Sequence, residues 1–377
     1  VWASANFRAL TARNALRRGL GVETHICGSP HLLARHAAHR LWPTTGKKNM
    51  KNYFHALMAA AVLLGTTAVG AQTTIVIQLS HVVSADTPKG KAALKFKALA
   101  EARTNGKVRI EVYPNSELYK DREELEALKL GAVQMLVPSL SKLGGDFEVF
   151  DLPFLFKDHA AYRSVVDGAI GAKLLSSLEP RGIKGLAFWD NGFKVFTANR
   201  PLQSVQNFKG LKIRVQASRT LVRQMTQLGS ESSISPLINV FEALRNGRLD
   251  GEENTPVNIY SQHLYEVQSH LTVSNHGYLA YAVIVNKPFW DKLPPDIRSI
   301  LEGALLDATA YENSIAEAEN TKALERIAAS GKLNVYSLTA QDLAQWRSAL
   351  DPFLLAAESG ISAELVGAIK TLTVPPH

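Results

Sequence analysis

Thr74-Ile75-Val76-Ile77-Gln78-Leu79, running on into Ser80-His81-Val82-Val83-Ser84-Ala85-Asp86-Thr87-Pro88, decides the fold. A short β-branched run bounded by a polar, proline-closed segment reads as a buried parallel strand. Helical spacing takes over after it, at Ala92, Leu94, Phe96, Leu99 and Ala100. Val108-Arg109-Ile110-Glu111-Val112-Tyr113-Pro114 then alternates as a strand does. Asp121-Arg122-Glu123-Glu124 opens a predicted helix through Leu130, with its acids at the positive end of the dipole. Val133 to Pro138 supplies a third strand. The order β–helix–β–helix–β predicts an α/β fold with a mostly parallel sheet.

Downstream the alternation repeats. Strands are expected at Ile183–Trp189, Lys194–Ala198, Leu211–Val215 and Tyr278–Val285. Helices are expected at Thr220–Leu228, Asn239–Asn246 and Val257–Val267. From Pro295 to Ser330 the pattern is helical with only Gly303 as a breaker, started by Asp291-Lys292-Leu293-Pro294-Pro295 and stopped by Gly331. Such a helix spans about 50 Å at 1.5 Å per residue, too long for one lobe and suited to bridging two. No glycine-serine linker separates the lobes, so they are expected to share crossovers.

Upstream the character changes. Met50-Lys51-Asn52 leads into Ala56-Leu57-Met58-Ala59-Ala60-Ala61-Val62-Leu63-Leu64 and then small residues ending at Ala71. This is the charged, apolar and small-residue order of a secretory signal, and its apolar run is shorter than the roughly 20 residues that span a bilayer. Cleavage is expected after Ala71. The chain begins with Val rather than Met, and residues 1–49 carry Arg and His with almost no acid. They are read as upstream translated sequence that the mature protein lacks, with a transit peptide as the rival reading.

Charge follows the same division. Of the 42 Lys and Arg, nine fall in residues 1–71, and of the 34 acids only Glu23 does, leaving 33 of each in the remainder. The formal net charge of +8 therefore belongs to the leader, and the body has no global field to attract nucleic acid or a membrane surface. Cys27, the single cysteine, also lies there, so the mature chain has no disulfide, thiolate metal site or Cys nucleophile. A cysteine-free exported protein suits an oxidising compartment.

The body lacks a glycine-rich dinucleotide loop, a phosphate-binding Gly-Lys-Ser/Thr loop and a Gly-x-Ser-x-Gly elbow. Its histidines, His81, His159, His263, His270, His276 and His377, form no metal-ligand pair, and no cofactor is expected. Placement singles out two other residues. Arg214 sits inside the apolar strand Lys212-Ile213-Arg214-Val215. It is either a solvent-facing edge residue or a buried guanidinium held for a carboxylate, which its planar fork binds through two parallel hydrogen bonds. Asn254, in Asp250-Gly251-Glu252-Glu253-Asn254, either caps the next helix or reaches a ligand; on the residues alone the cap is preferred, with Asp250 and Gly251 read as turn-formers.

From about Thr74 to residue 350 the chain resembles the extracytoplasmic solute-binding proteins of tripartite ATP-independent periplasmic (TRAP) transporters, of the dicarboxylate-binding DctP type. The resemblance is carried by Ser80-His81-Val82 with Thr87-Pro88-Lys89-Gly90, by Tyr113-Pro114-Asn115-Ser116-Glu117-Leu118 and by Val149-Phe150-Asp151-Leu152-Pro153-Phe154-Leu155-Phe156. Trp189-Asp190-Asn191-Gly192-Phe193-Lys194, Lys209-Gly210-Leu211-Lys212-Ile213-Arg214-Val215 and Asp250-Gly251-Glu252-Glu253-Asn254 continue it. Ser274-Asn275-His276-Gly277-Tyr278 and Phe289-Trp290-Asp291-Lys292-Leu293-Pro294 complete it.

The resemblance implies a two-lobed periplasmic-binding-protein-like α/β fold with a long helix spanning both lobes. Lobe I is expected to hold residues 72–191 and 280–318, and lobe II residues 192–279 and 319–377. It also implies a periplasmic receptor, not an enzyme, that closes on a small organic acid anion and delivers it to the small and large TRAP membrane subunits. The expected form is a monomer without a membrane span. Arg214 would pair with the ligand carboxylate and Asn254 would reach the ligand. Lys194, His81, Ser139, Asp121 and Lys89 would also contribute. Where relatives place an aromatic and a Glu, this chain has Leu237 and Asn239, which predicts room for a bulkier or more apolar acid. The alternatives are a periplasmic isomerase or lyase using His81 as a general base, and a ligand-sensing module for a membrane kinase. Mass spectrometry of the exported protein is expected to find Gln72 at its amino end; a recovered peptide from residues 1–49 would contradict that reading.

Overall fold

The computed structural model describes residues 74–121, 123–355 and 360–373. The expected leader, signal and cleavage site, and Cys27, lie outside the described residues. The first sheet begins with β1 (Ile75–Ser80), which leads into helix α1 (Pro88–Arg103). Thr87 caps α1 by accepting the Gly90 N–H at 3.2 Å, with Pro88 at the first helical position, where its missing N–H costs nothing. β2 (Val108–Tyr113), α2 (Glu124–Lys129) and β3 (Met135–Leu136) follow. Two 3-10 segments, Leu140–Leu143 and Gly145–Asp151, lead to α3 (His159–Val166), α4 (Ala169–Ser176) and β4 (Ile183–Phe193).

The chain then builds a second sheet from β5 (Val195–Ala198), β6 (Lys212–Val215), α5 (Arg219–Gln227), β7 (Glu231–Ile234), α6 (Val240–Arg245), β8 (Gly251–Asn254), α7 (Pro256–Ser261) and β9 (His270–Val273). It returns through β10 (Tyr278–Asn286), α8 (Lys287–Asp291) and α9 (Pro295–Ala329), and finishes with β11 (Asn334–Ser337), α10 (Ala340–Leu355) and α11 (Ala363–Thr373).

The five-stranded sheet runs β2-β1-β3-β10-β4 and the six-stranded sheet β11-β9-β5-β8-β6-β7. Both are mostly parallel, as the β–helix–β order predicts, with one reversed strand each, β10 in the first and β5 in the second. β1 is parallel to β2 and β3, but β10 runs antiparallel to β3 and β4. In the second sheet β6 is parallel to β7 and β8, whereas β5 is antiparallel to β8 and β9. The strand that re-enters the first lobe from the second arrives from the opposite end, which a local β–α–β reading does not anticipate.

Each sheet is covered on both faces. All nine residues of β10 are buried, and they divide by alternation. Ala280, Ala282 and Ile284 join the core under α3 and α4, while Tyr281, Val283 and Val285 join the core under α1 and α9. In the second sheet Ile213 and Val215 face the core that holds Leu221 and Met225 of α5, so Arg214 between them faces the other way.

Helix α9 is 35 residues long, about 52 Å at 1.5 Å per residue. Ile297, Leu301, Ala304, Leu305, Ala308, Ala316, Ala323 and Ile327 form its buried stripe at three- and four-residue spacing. It packs on α1 and β4 in the first lobe and on α7 in the second. Asn320 ties the lobes together: its Nδ2 donates to the Asn191 carbonyl at the end of β4, and its Oδ1 accepts the Val257 N–H of α7 at 3.1 Å.

One expected lobe boundary is corrected. Helix α11 lies in the stretch assigned to lobe II, yet it packs on α3, and Ile361 and Ile369 enter the first lobe's core. A short amphipathic helix after a crossover carries no local signal of which lobe covers it. Among the described residues no helix is long and apolar enough to cross a membrane.

Gly251 was read as a turn residue, but it opens strand β8. A Cβ there would run into the Thr197 carbonyl of the paired strand. Gly251→Ala is therefore expected to lower stability by roughly 1–3 kcal/mol in urea unfolding; an unchanged midpoint would mean that β5 steps aside freely.

Candidate functional site

A cavity lies where the ends of β1, β3, β6 and β8 converge on β10. Val82, Asp121, Ser139, Lys142 and Tyr281 line it from the first lobe, and Arg214, Gln216, Leu237, Asn254 and Asn258 from the second. The remaining space is about 20 Å³, room for about one water.

Arg214 is 2% exposed. Its neighbours in register are Ser233 on β7 and Glu252 on β8. Nε donates to the Ser235 carbonyl at 3.0 Å, and among the described residues Nη1 and Nη2 make no hydrogen bond. The two donors that form a bidentate fork are therefore uncommitted at the cavity wall. The edge-strand reading of Arg214 falls, since β7 covers that side of β6. Glu252 is buried behind it; desolvation pushes its carboxyl up to about 7, against the pull of Arg214.

Ser139 stands across the cavity. It is 4% exposed, and among the described residues its Oγ has no hydrogen-bond partner. A buried hydroxyl without a partner on a cavity wall is a donor and acceptor waiting for a third party.

Asn254 is not the helix cap; Thr255 holds that position. The Asn254 Oδ1 accepts the Thr255 N–H at 3.0 Å and Asn258 Nδ2 at 2.9 Å, and its Nδ2 donates to Glu252 at 3.3 Å. Asn258 donates on to the Tyr281 hydroxyl at 3.3 Å, and Asn191 donates to the same oxygen at 2.6 Å. An amide chain thus runs from the cavity to Asn191, whose carbonyl Asn320 of α9 binds.

Asp121 joins the two sides. One oxygen lies 2.6 Å from Lys142 Nζ, and the other accepts the Leu237 N–H at 3.0 Å. Burial works to raise its pKa, but Lys142 and Arg214 outweigh it and hold the carboxyl down at about 2. Lys142 also pairs with the buried Glu124 at 2.8 Å.

The structure places three expected residues elsewhere. Lys194 does not line the cavity. It is buried at the crossing between lobes, 2.5 Å from Glu253 and 3.7 Å from Asp151, with His276 3.4 Å from the same Glu253. Two carboxylates of the chain's own take its charge. His81 is fully buried, and among the described residues neither ring nitrogen has a well-formed hydrogen bond. Desolvation, with the Lys89 charge nearby, pushes its pKa down to about 3, so the ring is neutral. Lys89 sits behind Tyr281, 3.6 Å over its ring, and donates to the Val137 carbonyl at 3.0 Å. Burial, then Lys142, pushes it down to about 7.

Lys142, Gln216, Asn258 and Tyr281 were missed. Three of them carry a spacing signal. Lys142 follows Ser139 by one 3-10 turn, Gln216 follows Arg214 by the strand period of two, and Asn258 follows Asn254 by four. Nor does Leu237 open a larger space: it closes the wall, and Asn239 is exposed away from the cavity. Among the described residues no group of three or more His, Cys, Asp or Glu fits a metal ion.

Two lobes bridged by a long helix, with a buried guanidinium on the wall of the cavity between them, define a periplasmic-type solute-binding protein. The model of DctP, bacterial extracellular solute-binding protein, family 7, matches residues 79–359, and the chain belongs to that family. The C4-dicarboxylate-binding periplasmic protein DctP of Rhodobacter capsulatus is 52% identical over 319 residues, covering 84% of this chain and 96% of the relative. Among solved structures, a TRAP periplasmic solute-binding protein from Shewanella oneidensis with bound succinate superposes with a TM-score of 0.78 at 40% identity, covering 80% of this chain and 100% of that one. One from Pseudomonas aeruginosa PAO1 with bound L-malate gives 0.72 at 43%, covering 74% and 98%.

The lowered pKa of Lys89 has a stability consequence with a definite sign. A folded-state pKa of about 7 against an ordinary 10.5 means that the native state binds fewer protons in that window, so the parent gains stability as pH rises from 7 to 10.5. Lys89→Met removes this dependence. In chemical unfolding, the parent's stability relative to the variant is expected to climb across that window by on the order of a few kcal/mol; parallel pH curves would show an ordinary lysine.

Proposed function

We propose that this protein is a periplasmic receptor for a C4-dicarboxylate such as succinate or L-malate, which it passes to the membrane subunits of a TRAP transporter. The observation that carries the reading is Arg214, buried on the cavity wall with both terminal nitrogens uncommitted. A guanidinium held this way costs solvation that an incoming carboxylate restores through two charge-assisted hydrogen bonds. Ser139 and the Asn254 amide chain supply further polar contacts from opposite lobes. The names of the relatives support the four-carbon class, and a wall closed by Leu237 supports it over a bulkier acid.

Capture couples to closure because the binding groups are divided. Ser139 and Lys142 belong to the first lobe, and Arg214 and Asn254 to the second. A ligand that touches both sets only when the lobes meet shifts the population toward the closed form. The space of about 20 Å³ is too small for a diacid to enter by diffusion through a closed cleft. Entry is therefore through an open form.

A receptor is favoured over an isomerase or lyase by the position of His81. The ring lies off the cavity wall and is held neutral by burial, out of reach of a substrate proton. Arg214→Lys is expected to weaken succinate and L-malate binding roughly ten- to hundredfold in titration calorimetry, since an ammonium offers no parallel pair of donors. Unchanged affinity would remove Arg214 from the site, and chemical conversion of either acid on incubation would make the protein an enzyme.

A further inference from the structure

Asp121 is an anion on the wall of a cavity proposed to receive anions. We propose that its carboxylate holds the subsite for the ligand's distal carboxylate, the one not taken by Arg214, and gives that subsite up when the diacid enters. The inference rests on the proposed function and adds to it the group against which the ligand competes.

The partners of Asp121 are those a distal carboxylate needs. Lys142 Nζ is 2.6 Å from one oxygen, and the Leu237 N–H reaches the other at 3.0 Å. One partner is on the first lobe and the other on the second, so whichever carboxylate sits there bridges the cleft. The alternative, in which the diacid binds with Asp121 in place, puts a carboxylate beside a carboxylate away from bulk water, where like charges repel most strongly. Without ligand, the Lys142 and Arg214 charges hold Asp121 ionised, so protonating it would mean working against both. Movement relieves the conflict without that cost.

Movement is feasible on two grounds. Asp121 lies ahead of the first turn of α2, outside both flanking elements, so its swing breaks no helix or ladder bond. Lys142 keeps Glu124 at 2.8 Å when Asp121 leaves, so the ammonium stays anchored for the ligand. Space points the same way. Room for about one water does not hold a diacid, and withdrawal of a carboxylate frees volume where the second carboxylate would lie.

Calorimetric titration of the parent, Asp121→Ala and Asp121→Asn with succinate and with butyrate tests this. Butyrate keeps the four-carbon chain and lacks the distal carboxylate. Removing the competitor is expected to tighten succinate binding to Asp121→Ala roughly tenfold, with little change for butyrate. Asp121→Asn, which keeps the shape and an acceptor for Leu237 without the charge, should move in the same direction, and thermal unfolding confirms that both variants fold. Weaker succinate binding in both variants, or equal shifts for the two acids, overturns the inference and leaves an ordinary ligand contact or a structural role. If Arg214→Lys weakens both acids while neither Asp121 variant tightens succinate, the receptor reading stands and this inference alone fails. If Arg214→Lys changes nothing, the receptor reading fails first.

Discussion

A guanidinium excluded from water must be answered by negative charge, and most of the cavity is arranged around that demand. Arg214 has Glu252 behind it and faces the field of Asp121 from across the cleft. Neither carboxylate lies within salt-bridge distance of it, so its compensation is partial. The strand that carries it alternates as the demand requires: Ile213 and Val215 enter the core with α5, and the charged residue between them is turned to the cleft. The neighbouring strands β7 and β8 then keep solvent away from it. A cation placed this way is poorly matched by its own protein and better matched by a carboxylate from outside.

The amide chain gives that match a mechanical consequence. From Asn254 it runs through Asn258 and the Tyr281 hydroxyl to Asn191, and from there to Asn320 on α9. Tyr281 belongs to the first lobe's sheet and Asn258 to the second lobe's helix α7, so the chain crosses between lobes in the middle of the molecule. Asn320 also accepts the Val257 N–H at the start of α7. The buried stripe of α9 between Ala304 and Ala323 is largely alanine, with Leu305 and the buried Glu312 among them.

Much of this was legible in the sequence, and the part that was not has a physical reason. β1 announced itself by its β-branched run, β2 by alternation, and the ends of α9 by proline and glycine. β7 did not, because Glu231-Ser232-Ser233-Ile234 is a polar edge strand whose identity comes only from pairing with β6. Arg214, Asn254, Ser139 and Asp121 reach the cavity; placement singled out Arg214 and Asn254, while Ser139, Asp121 and the ligand reading of Asn254 came from resemblance. Lys194 and Lys89 show why a basic residue in a motif is weak evidence by itself. Whether a lysine meets a ligand or a carboxylate of its own chain is settled by partners far away in sequence, Glu253 and Asp151 in one case and the face of Tyr281 in the other.

Lys194 also shows what a buried charge does when it is not for binding. It stands at the crossing between β4 and β5, with Glu253 from β8, Asp151 from the end of a 3-10 segment and His276 from the return toward β10. Gly277 packs beside it, where a Cβ would press on the Lys194 Cε at 2.7 Å. One ammonium at the β4–β5 crossing thereby meets a carboxylate from each lobe, and His276 joins through Glu253. Replacing one partner would strand the others in low dielectric, which makes the cluster hard to rearrange piecemeal. The cleft is the opposite case. Its charges are divided between two bodies and left short of one anion, so its contacts can be made and broken as a set. At the crossing the cation is matched by carboxylates of the chain itself, and in the cleft it is left for one from outside.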